Sequence, residues 1–499
     1  MSNTHNGEPG LSSSPVVVVR ECELSADDLL HALLQLAPQH RVQILDSGGA
    51  RGDGARFLIA GFDPFETIEA RGDELLIERR TEASARIERG SLLSLLDERL
   101  ARYRVPPAQD IQLPVAGGAC IASFSYDFAR RFQRLRTCPP ATLAAPEPDA
   151  VLAFYDALII HDYARHSTYF TGNAGAEQLE RACALLLDAA RRSRPLEIAK
   201  GDDEKIEKEK IEKEKIEAAS NFTRAEYLAA ARRIRQHIYA GDIYQANLTQ
   251  QFTCPLAAGD STARVFRRLR REHPAAFAAF LQRRDDTVIS ASPERFLRVA
   301  WNETGDARRV EAWPIKGTRP RGIDAETDAA FRRELQASAK DAAENVMIVD
   351  LLRNDLGRVC RYGSVEVEAL YEVQEHPTLF HLVSKVRGAL RPEVTAGDLL
   401  RAAFPCGSIT GAPKLRAMEI IDDIERAPRG LSMGALGYFS FDGSLDLNVA
   451  IRTMVVREGQ ARFNTGGGIV AESDPAAEYE ESLLKARALL RALGASYDT

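Results

Sequence analysis

The sequence predicts a fold of the mixed α and β class, because short strands and amphipathic helices both recur along the chain. In the first half, the β-rich runs 56–62 and 117–127 are predicted as strands, whereas 25–36 repeats leucine at helical spacing. In the second half, 434–440 and 448–457 are predicted as paired strands. A length of 499 residues allows about two to three domains.

Composition excludes several classes of protein. With 45% hydrophobic and 27% charged residues, the chain has the balance of a soluble globular protein. A net charge of −7 without a basic stripe argues against a nucleic-acid partner. The seven cysteines form no C-x-x-C pair, which argues against disulfides or structural zinc and indicates a reducing cytoplasm. No run of about 18 apolar residues predicts a membrane span.

The chain divides into four predicted segments. Residues 1–14 are polar and turn-rich and are predicted as a disordered tail, and 15–196 as an N-terminal domain. Residues 197–219 form a charged linker in which Lys-Ile-Glu-Lys-Glu repeats almost three times. Its isoleucines advance by about 140° per repeat around a helix, so they form no coiled-coil stripe. Residues 220–499 are predicted as a second domain, which holds the candidate catalytic residues.

Two predicted helices of the second domain carry carboxylates. Residues 340–357 form an apolar helix that includes Glu344, and a buried carboxylate must be paired, hydrogen-bonded or metal-bound. In the last helix, Glu478, Glu481 and Lys485 stand at i, i+3 and i+7 and share one face. This face is either solvated, with a surface ion pair, or Glu481 joins Glu344 to hold one Mg²⁺.

Lys316 lies in a loop predicted for 314–322, where two prolines and two glycines constrain the backbone. One interpretation is that this lysine is solvated, as most lysines are. The other is that it is a held, desolvated amine that acts as a nucleophile.

Four further features each allow a structural and a functional interpretation. Glu294 is an exposed acid at a strand end or a buried general acid, and His381 is a core histidine or a pocket residue. Arg452, in a predicted strand, forms a buried ion pair or clamps a carboxylate. The backbone of Gly466, Gly467 and Gly468 could present N–H groups to a carboxylate. From the residues alone, we predict an anion-recognising, Mg²⁺-dependent enzyme that acts on a small carboxylate.

Motifs that occur in order along the chain closely resemble the chorismate-utilising enzyme family, and within it the aminodeoxychorismate synthase component I subfamily. The resemblance is dense over 220–499, and GGACIASFSYD at 117–127 resembles the family's N-terminal region. The motifs are SPERF (292–296), PIKGTRPRG (314–322), ENVMIVDLLRNDLGR (344–358), HLVS (381–384), GSITGAPKLRAMEII (407–421), IRT (451–453), GGGIV (466–470) and AEYEE (477–481).

The resemblance implies an α+β fold in which two antiparallel β-sheets pack together with helices around them. It implies that Glu344 and Glu481 bind Mg²⁺, which engages the ring carboxylate of chorismate, that Glu478 belongs to the same metal site, and that Lys485 beside it is a substrate-binding residue. Glu294 matches the proton donor to the departing C4 hydroxyl. The residues that match substrate-binding positions are His381, Thr410, Arg452, Gly466, Gly467 and Gly468.

Lys316 matches the lysine that attacks C2 of chorismate in this subfamily, after which ammonia attacks C4 and releases 4-amino-4-deoxychorismate, a precursor of para-aminobenzoate and folate. Anthranilate synthase component I normally has alanine here. Because the chain lacks a glutaminase motif, the resemblance implies a heterodimer with a glutamine amidotransferase subunit that supplies ammonia. The alternatives are an anthranilate or isochorismate synthase of the same family, or a catalytically silent ligand-binding subunit.

The resemblance also implies a tryptophan-binding site in the N-terminal region. The match here is loose, because 48–54 is richer in glycine than the family pattern. The residues that match are Ser47, Gly54, Ala55, Arg56, Phe57, Ala276, Phe277 and Ala278.

Overall fold

Two antiparallel sheets pack face to face with helices on their outer faces, which confirms the predicted fold class. The computed structural model describes residues 17–48, 50, 54–107, 113–115, 117–135, 147–173, 175–193, 216–375, 379–425 and 427–497. The predicted tail at 1–14 and the linker up to residue 215 lie outside these residues.

The helices are α1 (Ala26–Leu36), α2 (Leu92–Arg102), α3 (Ala176–Ser193), α4 (Arg224–Tyr239), α5 (Thr262–Glu272), α6 (Ala325–Ala337), α7 (Ala339–Gly357), α8 (Ala396–Ala403), α9 (Lys414–Glu425) and α10 (Pro475–Leu493). The strands are β1 (Val18–Cys22), β2 (Gln43–Asp46), β3 (Phe57–Gly61), β4 (Glu66–Arg71), β5 (Glu74–Arg79), β6 (Arg86–Arg89), β7 (Ala119–Phe124), β8 (Ala150–Tyr155), β9 (Ala157–Asp162), β10 (Ser167–Gly172), β11 (Ile216–Glu217), β12 (Ala219–Ser220), β13 (Gln245–Pro255), β14 (Phe277–Gln282), β15 (Thr287–Ser292), β16 (Arg295–Trp301), β17 (Arg308–Trp313), β18 (Ile315–Pro320), β19 (Glu366–Glu375), β20 (Leu379–Ala389), β21 (Gly411–Ala412), β22 (Ala435–Ser440), β23 (Leu445–Val449), β24 (Thr453–Arg457), β25 (Gln460–Ile469) and β26 (Ala495–Ser496).

The strand order shows how the chain builds both sheets. The first sheet runs β1-β10-β9-β3-β2-β14-β15-β24-β25-β13-β12, with β21 paired to β13. The second runs β18-β20-β17-β16-β23-β22-β7-β8-β4-β5-β6, with β19 paired to β20. An inner apolar layer packs between the facing sides of the two sheets. Two outer apolar layers pack between each sheet and its helices. Members of the inner layer include Ile59, Leu281 and Val455 from the first sheet and Ile121 and Leu436 from the second.

Strands from before and after the charged segment share both sheets. In the first sheet β2 pairs with β14, and in the second β7 pairs with β22. The described end of the predicted linker is itself paired, β11 to β26 and β12 to β13. The boundary predicted at 197–219 therefore does not divide the sheets into two separate cores.

The chain crosses between the sheets at two places that lie side by side. Pro293 and Glu294 connect β15 of the first sheet to β16 of the second, and Pro293 suits this break because it has no N–H to donate to a strand neighbour. Residues 450–452 connect β23 of the second sheet to β24 of the first. The prediction of one strand over 448–457 is wrong, because Arg452 takes a positive φ of 47° at this crossing. Hydrogen bonds join the two crossings, from the N–H of Val449 to the carbonyl of Glu294 at 3.0 Å and from Ala291 to Arg452 at 3.0 Å.

The prediction of a loop over 314–322 is also wrong for most of these residues, because 315–320 form β18, which pairs with β20. The pairing shifts register between Lys316 and Thr318, where Gly317 has a positive φ of 76°. This β-bulge accommodates the irregular backbone that the sequence suggested without breaking the strand.

Because both halves interleave in both sheets, we expect one cooperative unfolding unit. A protease site inserted within 200–210 should allow cleavage into two fragments that co-elute and melt in a single thermal transition. The uncleaved insertion variant serves as the control. Separation of the fragments under native conditions, or two resolved transitions, would contradict this expectation.

Candidate active site

Lys316 projects from the bulge of β18 towards α7. Its side chain is 12% exposed, and its Nζ lies 3.3 Å from Oε2 of Glu344. A Cβ at position 317 would come within 2.9 Å of Cγ of Asp341, so a glycine allows β18 to approach α7 closely. The close approach of β18 to α7 therefore places an amine and a carboxylate in contact.

A second lysine joins the carboxylates of α7 and α10. Nζ of Lys340 donates to Oε1 of Glu478 at 3.0 Å and lies 4.0 Å from Oε1 of Glu344. Glu478 is buried and also accepts a hydrogen bond of 2.7 Å from Oγ of Ser473. α10 begins as predicted, with Asp474 as N-cap and proline at its first turn. The helix start thus fixes the direction in which Glu478 points.

Glu481 and Lys485 form the predicted i,i+4 pair, with Nζ 2.7 Å from Oε1. Burial acts to raise the pKa of Glu481, but Lys485 and two further lysines hold it below its ordinary value. Lys485 also donates to the carbonyl of Gly466 at 2.9 Å. A Cβ on Gly467 would lie 3.2 Å from Oε2 of Glu478 and 3.7 Å from Oε1 of Glu481. The acids of α10 therefore converge on the glycine run of β25.

Glu344 faces the same run from α7, since a Cβ on Gly468 would lie 3.2 Å from its Oε2. The described residues contain no preformed cluster of three or more histidine, cysteine, aspartate or glutamate side chains around one metal position. Two carboxylates are nevertheless a donor set that suits Mg²⁺, which completes its shell with water and substrate oxygens. Glu344 and Glu481 fit that role, and Glu478, whose Oε1 is bound by Lys340 and Ser473, has its Oε2 directed at the same glycines.

Glu294 is a buried acid at the first crossing between the sheets. Burial raises its pKa to about 7, although hydrogen bonding from Ser408 and the charge of Lys316 act in the opposite direction. Its Oε1 has no hydrogen-bond partner among the described residues. A carboxyl group that keeps its proton near neutral pH and has a free oxygen suits a general acid.

The glycines at 466–468 lie within β25 and not in a loop. They pair with Thr249, Leu248 and Asn247 of β13, whereas β24 pairs only with 460–462. In the described part of the first sheet, the other edge of β25 therefore has no strand neighbour beside the glycines. The carbonyl of Gly466 accepts from Lys485, and binding of a ligand by the other backbone groups on that edge stays a prediction.

Thr410 lies next to this strand. Its side chain is fully buried, and its hydroxyl proton is shared between the carbonyls of Cys406 and Gly407, at 3.1 and 3.2 Å. Its own carbonyl accepts from the N–H of Asn247 at 2.8 Å. His381, in β20, is buried, and its Nδ1 lies 3.0 Å from Oγ1 of Thr318 across the bulge of β18.

Arg452 stands apart from these contacts. Its guanidinium is half-buried, and burial lowers its pKa. No hydrogen bond or ion pair engages it within the described ranges. Burial and the positive charge of Arg452 both lower the pKa of His273. An unpaired buried guanidinium favours the carboxylate-binding interpretation over a structural ion pair.

The residues predicted to bind tryptophan surround a cavity of about 500 Å³ between the N-terminal region and the SPERF strand. All of them except Ala55 line it, together with Arg295 and Trp313. Two buried donors of this cavity wall, Nη1 of Arg295 and Nε1 of Trp313, have no hydrogen-bond partner among the described residues, although Nη1 lies 3.7 Å from Oε1 of Glu311. Binding of tryptophan here stays a prediction.

Sequence reasoning missed four polar residues that contact the site, namely Lys340, Ser473, Ser408 and Gln245. Lys340 precedes Glu344 by four residues on one helix, which is a spacing that predicts contact. The amide of Gln245 lies where a side chain on Gly468 would go, and its Oε1 is buried without a partner in the described part of the chain. No local sequence pattern predicts that Gln245 lies at the site, because its neighbours there come from strands far apart in sequence.

A model of the chorismate binding enzyme family matches residues 43–491. The chain belongs to this family. It is 37% identical over 467 residues to aminodeoxychorismate synthase component 1 of Klebsiella aerogenes, covering 92% of this chain and 95% of that protein. It is 35% identical over 480 residues to anthranilate synthase component 1 of Pseudomonas aeruginosa, covering 94% and 93%. The resemblance inferred from the motifs is thereby confirmed at the level of the family.

The fold of this chorismate binding enzyme is also found among solved structures. Anthranilate synthase component I from Streptococcus pneumoniae superposes with a TM-score of 0.72 at 28% identity, covering 88% of this chain and 93% of that one. Within the described residues, no helix is long and apolar enough to cross a membrane.

The raised pKa of Glu294 predicts a pH dependence. If its proton is needed, kcat/KM for chorismate at a fixed concentration of free ammonia should fall as the pH rises through about 7. Glu294→Gln should lower kcat/KM by about 100-fold or more and remove this limb of the profile.

Glu147→Gln is the matched control, because Glu147 is another buried glutamate whose pKa is raised to about 7 by burial. This variant should keep the limb. If the limb persisted in Glu294→Gln and vanished in Glu147→Gln, the pH dependence would arise from Glu147 and not from Glu294.

Proposed function

We propose that the chain converts chorismate and ammonia to 4-amino-4-deoxychorismate. The observation that carries this proposal is the position of Lys316, whose amine lies in the carboxylate cluster, 3.3 Å from Glu344 and close enough to Glu294 to affect its pKa. A nucleophile, an acid and candidate metal ligands therefore share one site. Relatives named aminodeoxychorismate synthase component 1 support the same activity.

In the proposed reaction, the unprotonated amine of Lys316 attacks C2 of chorismate and the ring double bond shifts. Glu294 gives its proton to the C4 hydroxyl, which leaves as water. Ammonia then attacks C4, the double bond shifts back, and the C2–nitrogen bond to Lys316 breaks. The lysine leaves as the neutral amine, the new ammonium at C4 returns a proton to Glu294, and 4-amino-4-deoxychorismate is released.

The other residues hold the substrate. Arg452 and the open edge of β25 at Gly466–Gly468 would bind carboxylate groups, and Thr410 and His381 would line the pocket. Mg²⁺ bound by Glu344 and Glu481 would neutralise the ring carboxylate of the substrate. Lys340 and Ser473 would keep Glu478 in place beside the metal ligands.

We further propose that ammonia comes from a separate glutamine amidotransferase subunit in the cytoplasm. The name "component 1" of the relatives supports a partner, and the sequence contains no glutaminase motif. A second candidate function is anthranilate synthesis, which the relative from Pseudomonas aeruginosa favours. The two functions differ in the carbon that ammonia attacks, so the product distinguishes them.

Replacement of Lys316 tests the covalent step. Lys316→Ala should lower the rate of 4-amino-4-deoxychorismate formation on the order of 10³-fold or more, because the nucleophile is lost. Without ammonia, the wild-type protein incubated with chorismate should carry an adduct on Lys316, visible by intact-protein mass spectrometry.

Lys316→Arg is the control for charge, since it keeps a cation beside Glu344 without a nucleophilic amine. It should be as inactive as Lys316→Ala and should form no adduct. Full activity of Lys316→Arg, or anthranilate as the main wild-type product, would refute the proposal.

The metal ligands are tested by removing one charge at a time. Glu344→Gln and Glu481→Gln should each raise the Mg²⁺ concentration for half-maximal activity by at least about 10-fold. Calorimetric titration with Mg²⁺ should show the same loss of affinity in the absence of substrate. Asp350→Asn, on the exposed face of α7, is the matched control and should bind Mg²⁺ as the wild type does. Unchanged affinity in both glutamine variants would place the metal elsewhere.

A further inference from the structure

Arg429 is a fully enclosed guanidinium in the segment after α9. Its Nε and Nη2 donate to the two carboxylate oxygens of Glu425, at 2.8 and 2.6 Å. Its plane lies over the ring of Tyr126, 4.4 Å from the centroid. Glu425 in turn accepts from the N–H and the hydroxyl of Thr249 in β13, at 2.7 and 3.0 Å. The arginine is thus anchored to both α9 and β13.

The remaining donors of Arg429 bind two backbone carbonyls beside Thr410. Nη1 donates to the carbonyl of Ile409 at 2.7 Å, and Nη2 donates to that of Asn247 at 2.6 Å. Asn247 also donates its N–H to the carbonyl of Thr410 at 2.8 Å. One guanidinium therefore ties the loop 407–410 to the strand that pairs with Gly468.

We propose that Arg429 is a positioning residue for this enzyme, which sets the place of Thr410 and of the loop 407–410 in the active site. The proposal rests on the proposed use of chorismate at this site. Arg429 touches neither Lys316 nor the carboxylate cluster in the described contacts, so it acts through the loop. Ser408, which influences Glu294, lies in the same loop, next to the carbonyl that Arg429 holds.

The geometry requires an arginine. Four hydrogen bonds leave the guanidinium in different directions within one plane, and a single ammonium cannot reach all their acceptors. The segments that flank the loop are joined by a second buried cation, because Nζ of Lys414 donates to Asp355 at 2.6 Å and to the carbonyl of Ala403 at 2.7 Å. Loss of Arg429 should therefore shift the loop rather than release it.

The test compares Arg429→Lys with Arg268→Lys in the full chain. Arg268 is a matched control, because it is also buried, pairs with Asp260 and donates twice to one carbonyl, that of Ala492. Arg429→Lys should lower kcat/KM for chorismate, followed by its disappearance, by about 100-fold, as a loop shift of about 1 Å would. Arg268→Lys should stay within about threefold of the wild type. Thermal unfolding of each variant shows how far stability has changed.

A double-mutant cycle with Thr410→Val separates positioning from general destabilisation. Effects of independent residues multiply within about threefold, whereas residues that act through one another do not. If Arg429 acts by placing Thr410, the double variant should lose little more activity than the worse single variant. A loss equal to the product of the single losses, or equal losses in Arg429→Lys and Arg268→Lys, would overturn the proposal.

The proposal for the product and the proposal for the role of Arg429 can be refuted independently of each other. If the wild type makes anthranilate, chorismate disappearance still reports the effect of Arg429→Lys, and only the proposed function falls. If the wild type binds chorismate without turnover, calorimetry should show weaker binding in Arg429→Lys, and equal binding would overturn the role. If the wild type neither binds nor consumes chorismate, both proposals fall.

Discussion

The hydrogen bonds between the two inter-sheet crossings constrain the rest of the site. One crossing carries Glu294 and the other carries Arg452, and each crossing uses the backbone of the other to satisfy groups that leave the sheets. Oγ of Ser292 adds a third bond, to the carbonyl of Val449 at 2.6 Å. Buried backbone groups need such partners, so neither crossing can move without breaking bonds of the other. The acid and the arginine are therefore held by the core of the sheets.

Charge balance is the second constraint at the site. Glu344, Glu478 and Glu481 each lie within 4 Å of a lysine ammonium, from Lys316, Lys340 or Lys485. Carboxylates that converge on one glycine run would repel each other strongly without these cations. The same arrangement leaves oxygen donors on two helices facing one space. This arrangement is compatible with the charged substrate and the Mg²⁺ that we propose for the site.

The loop 407–410 shows how the geometry of a site can depend on residues outside that site. Arg429 and Lys414 hold 407–410 and its flanks through backbone carbonyls, so the shape of the loop depends on residues outside it as well as on its own side chains. Both cations are buried and paired with carboxylates, an arrangement in which removal of one partner leaves a costly unpaired charge. Such residues are expected to influence catalysis without touching the substrate.

The sequence by itself determined the class of fold, the N-cap of the last helix at Asp474, the i,i+4 pair of Glu481 with Lys485 and, through ordered motifs, the family. These features depend on local spacing or on residue identity along one stretch. Tertiary structure alone decided that 315–320 is a bulged strand, that 448–457 breaks at Arg452, and that both halves share both sheets. It also brought Lys340, Gln245 and Arg429 to the site. Apart from Glu344 and Glu425, which lie four residues from Lys340 and Arg429, their partners lie on strands and helices distant in sequence, and such contacts leave no periodic signal in the chain.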